Sequence, residues 1–226
     1  AGMSSSTELR VDPRNAASRI AAWLSERYDV TSHFEALVTR IDDGEIRAAD
    51  GRTWRAARSI VCSGSDFQTL YPELLRKSGL QLCKLQMLRT DPQTTLRTPS
   101  PHLAGGLTLR HYTSFESCPS LPALRSRIAH ETPELDRFGI HVMASQFPTG
   151  EVILGDSHEY GNEVSPFDKI EIENLIIREL HKMIQLDNWT IRERWHGVYA
   201  RHPLLPVFES EAADGVHVFV GTGEIG

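Results

Sequence analysis

The first strong periodicity in the chain lies between Pro13 and Tyr28, where Ala16, Ala17, Ile20, Ala21 and Leu24 recur at helical spacing. Asp12 can cap the first amides and Pro13 fits the first helical position, so a helix to about Tyr28 is expected. From Val30 to Ile60 the period shortens. FEALVTRID, EIRAA and RTWRAA are separated by Asp43-Gly44 and Asp50-Gly51, two-residue turn signals that predict a small antiparallel meander. RSIVCSGSD then reads as a buried strand ending in small residues, and it leads into a helical stretch, DFQTLYPELLRKSG.

Beyond Leu80 the texture is longer strands with helices between them. LQLCKLQMLRT, GGLTLRHYTS, HVMASQF and EVILGDS read as half-buried strands, and Pro148-Thr149-Gly150 marks the turn between the last two. LPALRSRIAHETPELDRFG is helical with an interruption at Pro133. A second well-signalled helix opens at Ser165-Pro166-Phe167-Asp168, and its stripe of Phe167, Ile170, Leu175, Ile176, Met183 and Ile184 continues to about Leu186. WTIRERWHGVYARHP, LPVFESE and VHVFV complete the chain as strands. The expected class is α+β, a largely antiparallel sheet with helices between shorter flanking pieces.

Composition removes several function classes. A chain of 226 residues with net charge −6 has no basic excess for a phosphate backbone, so nucleic-acid binding is not expected. No apolar run reaches the ~20 residues that span a bilayer. Cys62, Cys83 and Cys118 are odd in number and widely spaced, which suits reduced thiols in a cytoplasmic protein rather than a disulfide framework. The ten histidines lack HExxH or HxH spacing, so no metal site is expected. No GxSxG elbow or local Cys/His pairing points to nucleophilic catalysis.

Small residues at strand ends carry the remaining chemistry. Ser63-Gly64-Ser65 follows a strand and precedes a helix, where small residues either admit a ligand to the backbone or allow tight strand-helix packing. The chain closes on GTGEIG, Gly221 to Gly226, spelled as GxGxxG directly after VHVFV.

The order of these segments is more specific than any one of them. A helix opened by Asp-Pro, a meander and IVCSGSD are followed by an antiparallel domain, a WxG strand (Trp195-His196-Gly197) and a terminal strand into GxG. This arrangement resembles the flavin-dependent amine and amino-acid oxidase superfamily that includes D-amino-acid oxidase, glycine oxidase and sarcosine oxidase. GGLTLRHY, ILGDSHEYG, RWHGVYARHP and VFVGTGEIG look closest to a branch of FAD-dependent oxidoreductases associated with phosphonate metabolism. The resemblance implies FAD as cofactor and a small amine, amino acid or aminophosphonate as substrate, oxidised at its C–N bond by hydride transfer to the flavin. It divides the chain into a partial FAD-binding domain (1–79), a substrate-binding domain (80–194) and a return to the FAD-binding domain (195–226). The family's first glycine fingerprint and ribose-binding acid are not found before Arg10, so the chain is expected to be truncated at both ends and to hold FAD weakly by itself. A module that kept the fold for ligand binding or assembly is the rival expectation, and a stand-alone α+β domain is a third.

Residue roles follow from the same resemblance. Val38, Ser63, Gly64 and Ser65 are implied to lie near the cofactor's adenosine and phosphates. Gly221, Thr222 and Gly223 correspond to a second glycine cluster, where a helix N-terminus faces the flavin ring. In many relatives the WxG strand continues to an arginine that clamps a substrate carboxylate. Tyr199 stands at that position here and Arg201 two residues on, which shifts the expectation toward another anion. Arg110 and Tyr112 share a face in a regular strand and are candidate substrate contacts; the resemblance implies that GDSHEYG lies on the substrate-domain sheet facing the flavin, which makes His158 and Tyr160 candidates too, while Asp156 or Ser157 reads equally as part of a polar turn.

Overall fold

The structure is a computed structural model and describes residues 2–7, 10–95 and 101–222. Asp12 accepts a hydrogen bond from the Arg14 amide at 3.1 Å and so starts α1 (Pro13–Tyr28), which ends at Asp29 in the left-handed region. Residues 1–37 form a compact unit of their own. No residue of α1 is buried, and Trp23 packs edge-on against Tyr28 with ring centroids 5.2 Å apart.

The second unit, residues 38–226, begins with the expected meander: β1 (Val38–Asp42), β2 (Glu45–Ala48) and β3 (Thr53–Arg55) pair antiparallel in that order. Asp43 and Gly44 both have positive φ, 47° and 71°, as a two-residue hairpin turn of matching twist requires. β4 (Ser59–Val61) follows. The helix expected after it is confined to α2 (Pro72–Lys77). Pro72 disfavours helical backbone at the residue before it, and Tyr71 indeed has φ 53°, so the helix cannot begin earlier.

β5 (Gln81–Thr90) is central to a six-stranded sheet with β6 (Leu103–Ala104), β7 (Met143–Gln146), β8 (Val152–Gly155), β9 (Glu159–Gly161) and β10 (Ile191–Arg201). α3 (Leu121–Glu131) and α4 (Pro133–Arg137) divide at Pro133 as expected. Leu88, Ile140, Leu154, Ile172, Ile176 and Leu180 belong to the core built around this sheet, so its buried face packs on α5 (Ile170–Leu180) and the adjoining segments.

Two segments depart from the sequence reading. GGLTLRHYTS is not a strand: Gly106–Arg110 form a 3₁₀ turn, with the Thr108 amide bonded to Gly105 O and the His111 amide to Thr108 O. Two adjacent glycines end β6 after two residues, so the alternation that placed Arg110 and Tyr112 on one face has no strand to act through. The helix expected from Pro166 to Leu186 runs only from Ile170 to Leu180. The carbonyls of Ser165 and Phe167 are held by Lys84 Nζ, and the Lys169 amide donates to Gln86 Oε1 at 2.8 Å; bonds to residues distant in sequence replace helical ones before Ile170. Phe167 and Ile170 are accordingly exposed.

β11 (Val207–Ala213) and β12 (Val216–Gly221) form a hairpin, and β12 pairs in parallel with β4. Leu75, Leu80, Ala200 and Val218 share the core of this smaller sheet. Its single parallel pair, between β4 and β12, brings the chain's two glycine-bearing strand ends together.

Candidate functional site

The β4–β12 register matches Ser59 with Val216 and Val61 with Val218. Because the pair is parallel, both strands end at the same edge: β4 delivers Ser63-Gly64-Ser65 and β12 delivers Gly221-Thr222. Ligands of open α/β sheets bind in the crevice outside such carboxyl ends. Gly64 has φ 58°, and a Cβ built on Gly64 or Gly221 would meet nothing within 4 Å, so backbone is open to a ligand at both strand ends. The Ser63 hydroxyl is buried and has no hydrogen-bond partner among the described residues. An orphaned buried hydroxyl beside an open left-handed glycine fits a dinucleotide's phosphate or ribose oxygens, which would supply the missing partner.

Other cofactor candidates are placed differently. Thr222 is buried; its hydroxyl donates to Leu205 O and its amide to Pro206 O at 3.0 Å, so its side chain faces the protein. Val38 begins β1 opposite Ala48, in the meander and not in the β4–β12 sheet. Gly223 lies outside the described residues.

A second surface is the open face of the large sheet. On the β5 ladder Tyr199 and Tyr160 both pair with Cys83, Gly197 with Leu85 and Trp195 with Met87, and directly paired residues project from one face. Trp195 is 38 % exposed and Tyr160 49 % exposed there, while Lys84, Gln86, Leu88 and Thr90 on the other face are buried. A Cβ at Gly197 would meet nothing within 4 Å, so this face has a gap between Trp195 and Tyr199.

Arg201 continues the row Trp195, Gly197, Tyr199 to the end of β10. Its Nη1 donates to His202 O at 2.9 Å and to Thr222 O at 3.2 Å. Arg201 therefore joins the open face to the end of β12, and the two candidate surfaces meet at its guanidinium.

Arg110 and His158 are held internally. Arg110 forms an ion pair with Asp136, and its Nη2 and Nε donate to Ile140 O and Leu107 O at 3.1 and 3.3 Å. Tyr112, half-buried just after the 3₁₀ turn, shares no strand face with it. His158 is 4 % exposed and lies among imidazoles: ring centroids are 4.6 Å from His141 and 5.4 Å from His111. Burial, with repulsion from His158 and from the cations of Arg110, Arg125 and Arg201, pushes the His111 imidazole down to about 3. Burial and the neighbouring His111, His158 and Arg110 push His141 down to about 2. Both rings are neutral at ordinary pH. The sequence reading missed His141 and this grouping, because its three members come from separate segments and no local spacing links them.

The fold has counterparts in known proteins. The family model described as "DAO: FAD dependent oxidoreductase" matches residues 1–226. The chain belongs to this DAO family of FAD-dependent oxidoreductases, and FAD is the family's cofactor. No curated protein matches the chain. Among solved structures it is similar to L-proline dehydrogenase from P. horikoshii, with TM-score 0.62 and 16 % identity over 94 % of this chain and 50 % of that one. It is also similar to glycine oxidase from Bacillus cereus ATCC 14579, with TM-score 0.52 and 10 % identity over 84 % of this chain and 43 % of that one. The likenesses show a shared mixed α/β fold, and the chain spans half or less of the length of either protein. No helix among the described residues is long and apolar enough to cross a membrane.

Proposed function

We propose that this chain provides the substrate-facing sheet and two cofactor-facing strand ends of a flavoenzyme that oxidises the C–N bond of a small amine, amino acid or aminophosphonate. The observation that supports it most is the position of Arg201, between the aromatic open face and the end of β12 beside the crevice. When bound, FAD supplies the two-electron acceptor for a hydride. The chain's own residues bind and orient. Ser63 Oγ and the backbone of Gly64 and Gly221 hold cofactor oxygens; Trp195, Tyr160 and Tyr199 wall the substrate and exclude water; Arg201 holds its anion through Nη2 and Nε. A neutral amine aligned in this way needs no strong protein base, and release of the proton left on nitrogen yields an imine that water hydrolyses to a carbonyl. Residues 1–79 and the segment after β10 are assigned to the cofactor side and residues 80–194 to the substrate side, with β10 kept whole to Arg201. Tyr199 standing where relatives place an arginine favours an anion other than a standard carboxylate, and a phosphonate suits a guanidinium equally well.

The test is purification of the natural gene product from flavin-replete cells. Oxidised-flavin absorption is expected, with anaerobic bleaching by at least one member of a panel of amines, amino acids and aminophosphonates. A product that neither retains nor takes up added FAD is a ligand-binding or assembly module instead. Flavin that no amine bleaches would overturn the substrate class.

A further inference from the structure

We infer that His111, His141 and His158 form a binding site for a divalent transition-metal ion of the zinc class. His111 follows the 3₁₀ turn, His141 precedes β7, and Asp156 and His158 lie between β8 and β9. One nitrogen from each imidazole lies within 4.8 Å of the others, and two of the three residues are buried. His141 Nε2 is 3.4 Å from His158 Nε2 and 3.5 Å from Asp156 Oδ1. Ligands at zinc's usual distances in a tetrahedron stand about 3.4 Å apart, so these two edges already have the length of a closed site.

Tautomers give the cluster its direction. His158 Nδ1 lies 3.0 Å from Gly139 O, and a carbonyl only accepts, so Nδ1 carries the proton and Nε2 of the neutral ring carries a lone pair. His141 Nδ1 lies 3.5 Å from the Thr108 hydroxyl, which can accept from it or donate to it; in the tautomer with the proton on Nδ1, its Nε2 lone pair faces that of His158. Two lone pairs 3.4 Å apart repel unless a cation stands between them, and metal-bound histidines characteristically donate their second nitrogen to such partners. His111 Nε2 is buried without a hydrogen-bond partner among the described residues, as a ligand awaiting its ion would be.

Access and charge are compatible with an ion. A pocket of ≈470 Å³ lined by Arg110, His111, Arg125, Ser126, Ala129 and Asp136 reaches the His111 side of the cluster. Arg110 pairs with Asp136 and Arg125 with Glu116, which offsets the two nearest cations. The His141 and His158 rings are inclined by only 16°, so ligation requires them to fan apart until the ion lies in each ring plane. With three imidazoles and a fourth position open to water or to the Asp156 carboxylate beside His141, the site suits a tetrahedral ion. It would tie the 3₁₀ turn and the β7 and β8 ends to the segment bearing Tyr160.

The full chain, purified without a histidine tag and stripped with chelator, is titrated with Zn²⁺ and separately with Co²⁺. Expected are one ion per chain, the intense visible bands of tetrahedral Co²⁺, and at least about 100-fold weaker binding after His141→Ala or His158→Ala, more than loss of an outer-shell partner. His111→Ala, at the half-buried member, gives the same readout should the buried variants fail to fold. Absence of Zn²⁺ binding at micromolar concentration, or binding unchanged in His111→Ala, overturns the site and leaves His141 as an N–H donor to His158. Neither readout uses flavin or turnover, so this result stands or falls apart from the amine-oxidising function.

Discussion

The ammonium of Lys84 lies 2.9 Å from the Asp168 carboxylate and also donates to the carbonyls of Ser165 and Phe167. The Lys84 side chain is 1 % exposed, whereas that of Asp168 is 33 % exposed and also accepts from His196 Nδ1 at 2.8 Å. This contact fixes the segment entering α5 beneath the sheet. Removing one partner of a fully buried pair costs about 3–5 kcal/mol. Solvent at Asp168 and the two carbonyls retained by Lys84 reduce this, so Asp168→Asn is expected to destabilise the fold by about 2 kcal/mol. Urea unfolding at neutral pH checks it; a loss below about 0.5 kcal/mol would make the pair an ordinary surface contact.

The same pair has a signed pH dependence. Burial, the largest influence, pushes the Asp168 carboxyl up, but hydrogen bonds and charge from Lys84 and His196 together hold it below its ordinary value. A carboxyl depressed in the folded state stabilises at pH above its unfolded value, about 3.9, and that contribution fades as pH falls through the lower folded value. The stability gap between wild type and Asp168→Asn should therefore be present above about pH 5 and close below about pH 4. A gap that persists undiminished well below about pH 4 contradicts the assignment.

Legibility in the sequence followed how local each determinant is. Asp12-Pro13 and Asp43-Gly44 act through neighbouring residues and were readable in place. The shortened α5 was not, since Gln86 and Lys84, some eighty positions earlier, take the polar groups a longer helix would have used. The family resemblance implied cofactor-side roles for both Ser63-Gly64-Ser65 and Gly221, but the parallel pairing of β4 with β12 that brings their strand ends together joins residues some 157 positions apart and carries no local signal. The histidine cluster was not legible either: His111, His141 and His158 meet only because a 3₁₀ turn replaces a strand and β8 runs beside β7. A regular strand at 106–112 would have turned His111 away from Arg110 and Tyr112, which is how the alternation read it.

Ser63 allows cofactor binding to be separated from folding. Its hydroxyl is buried without a partner among the described residues, so the fold gains nothing from it and Ser63→Ala should leave stability unchanged or raise it by about 1 kcal/mol. If the hydroxyl serves a cofactor oxygen, the same change weakens FAD retention roughly tenfold, the worth of one hydrogen bond. Thermal unfolding and flavin content measured on the same preparation distinguish the outcomes. Lower stability with unchanged flavin content would show that Ser63 serves packing alone.

Gly139 supports the histidine cluster through its backbone. It has φ 54°, and a Cβ there would sit 2.7 Å from His158 Cβ and 3.1 Å from His158 O, neither of which is the flexible end of a side chain. Gly139→Ala combines a left-handed backbone penalty of about 1 kcal/mol with overpacking of about 1–3 kcal/mol. A loss of about 3 kcal/mol is expected, together with displacement of the His158 Nδ1 bond to Gly139 O. Denaturation and the imidazole proton resonances of His158 report the two effects. Wild-type stability in the variant would mean that the 138–140 backbone is looser than its geometry indicates.

Arg201 separates binding from chemistry. Its Nη1 anchors to His202 O and Thr222 O, so the side chain is already oriented before substrate arrives. In Arg201→Ala an anionic substrate loses a charge-assisted contact of about 1.5–3 kcal/mol, roughly a 10- to 100-fold rise in KM. The hydride-donating carbon is not touched by this group, and kcat should fall by less than about tenfold. Arg201→Lys keeps the charge but not the planar fork, and should restore only part of the affinity. Uncharged amines should show little change in either variant, which separates loss of the anion contact from damage to the β10–β12 junction. Equal losses for charged and neutral amines would instead assign Arg201 to holding that junction.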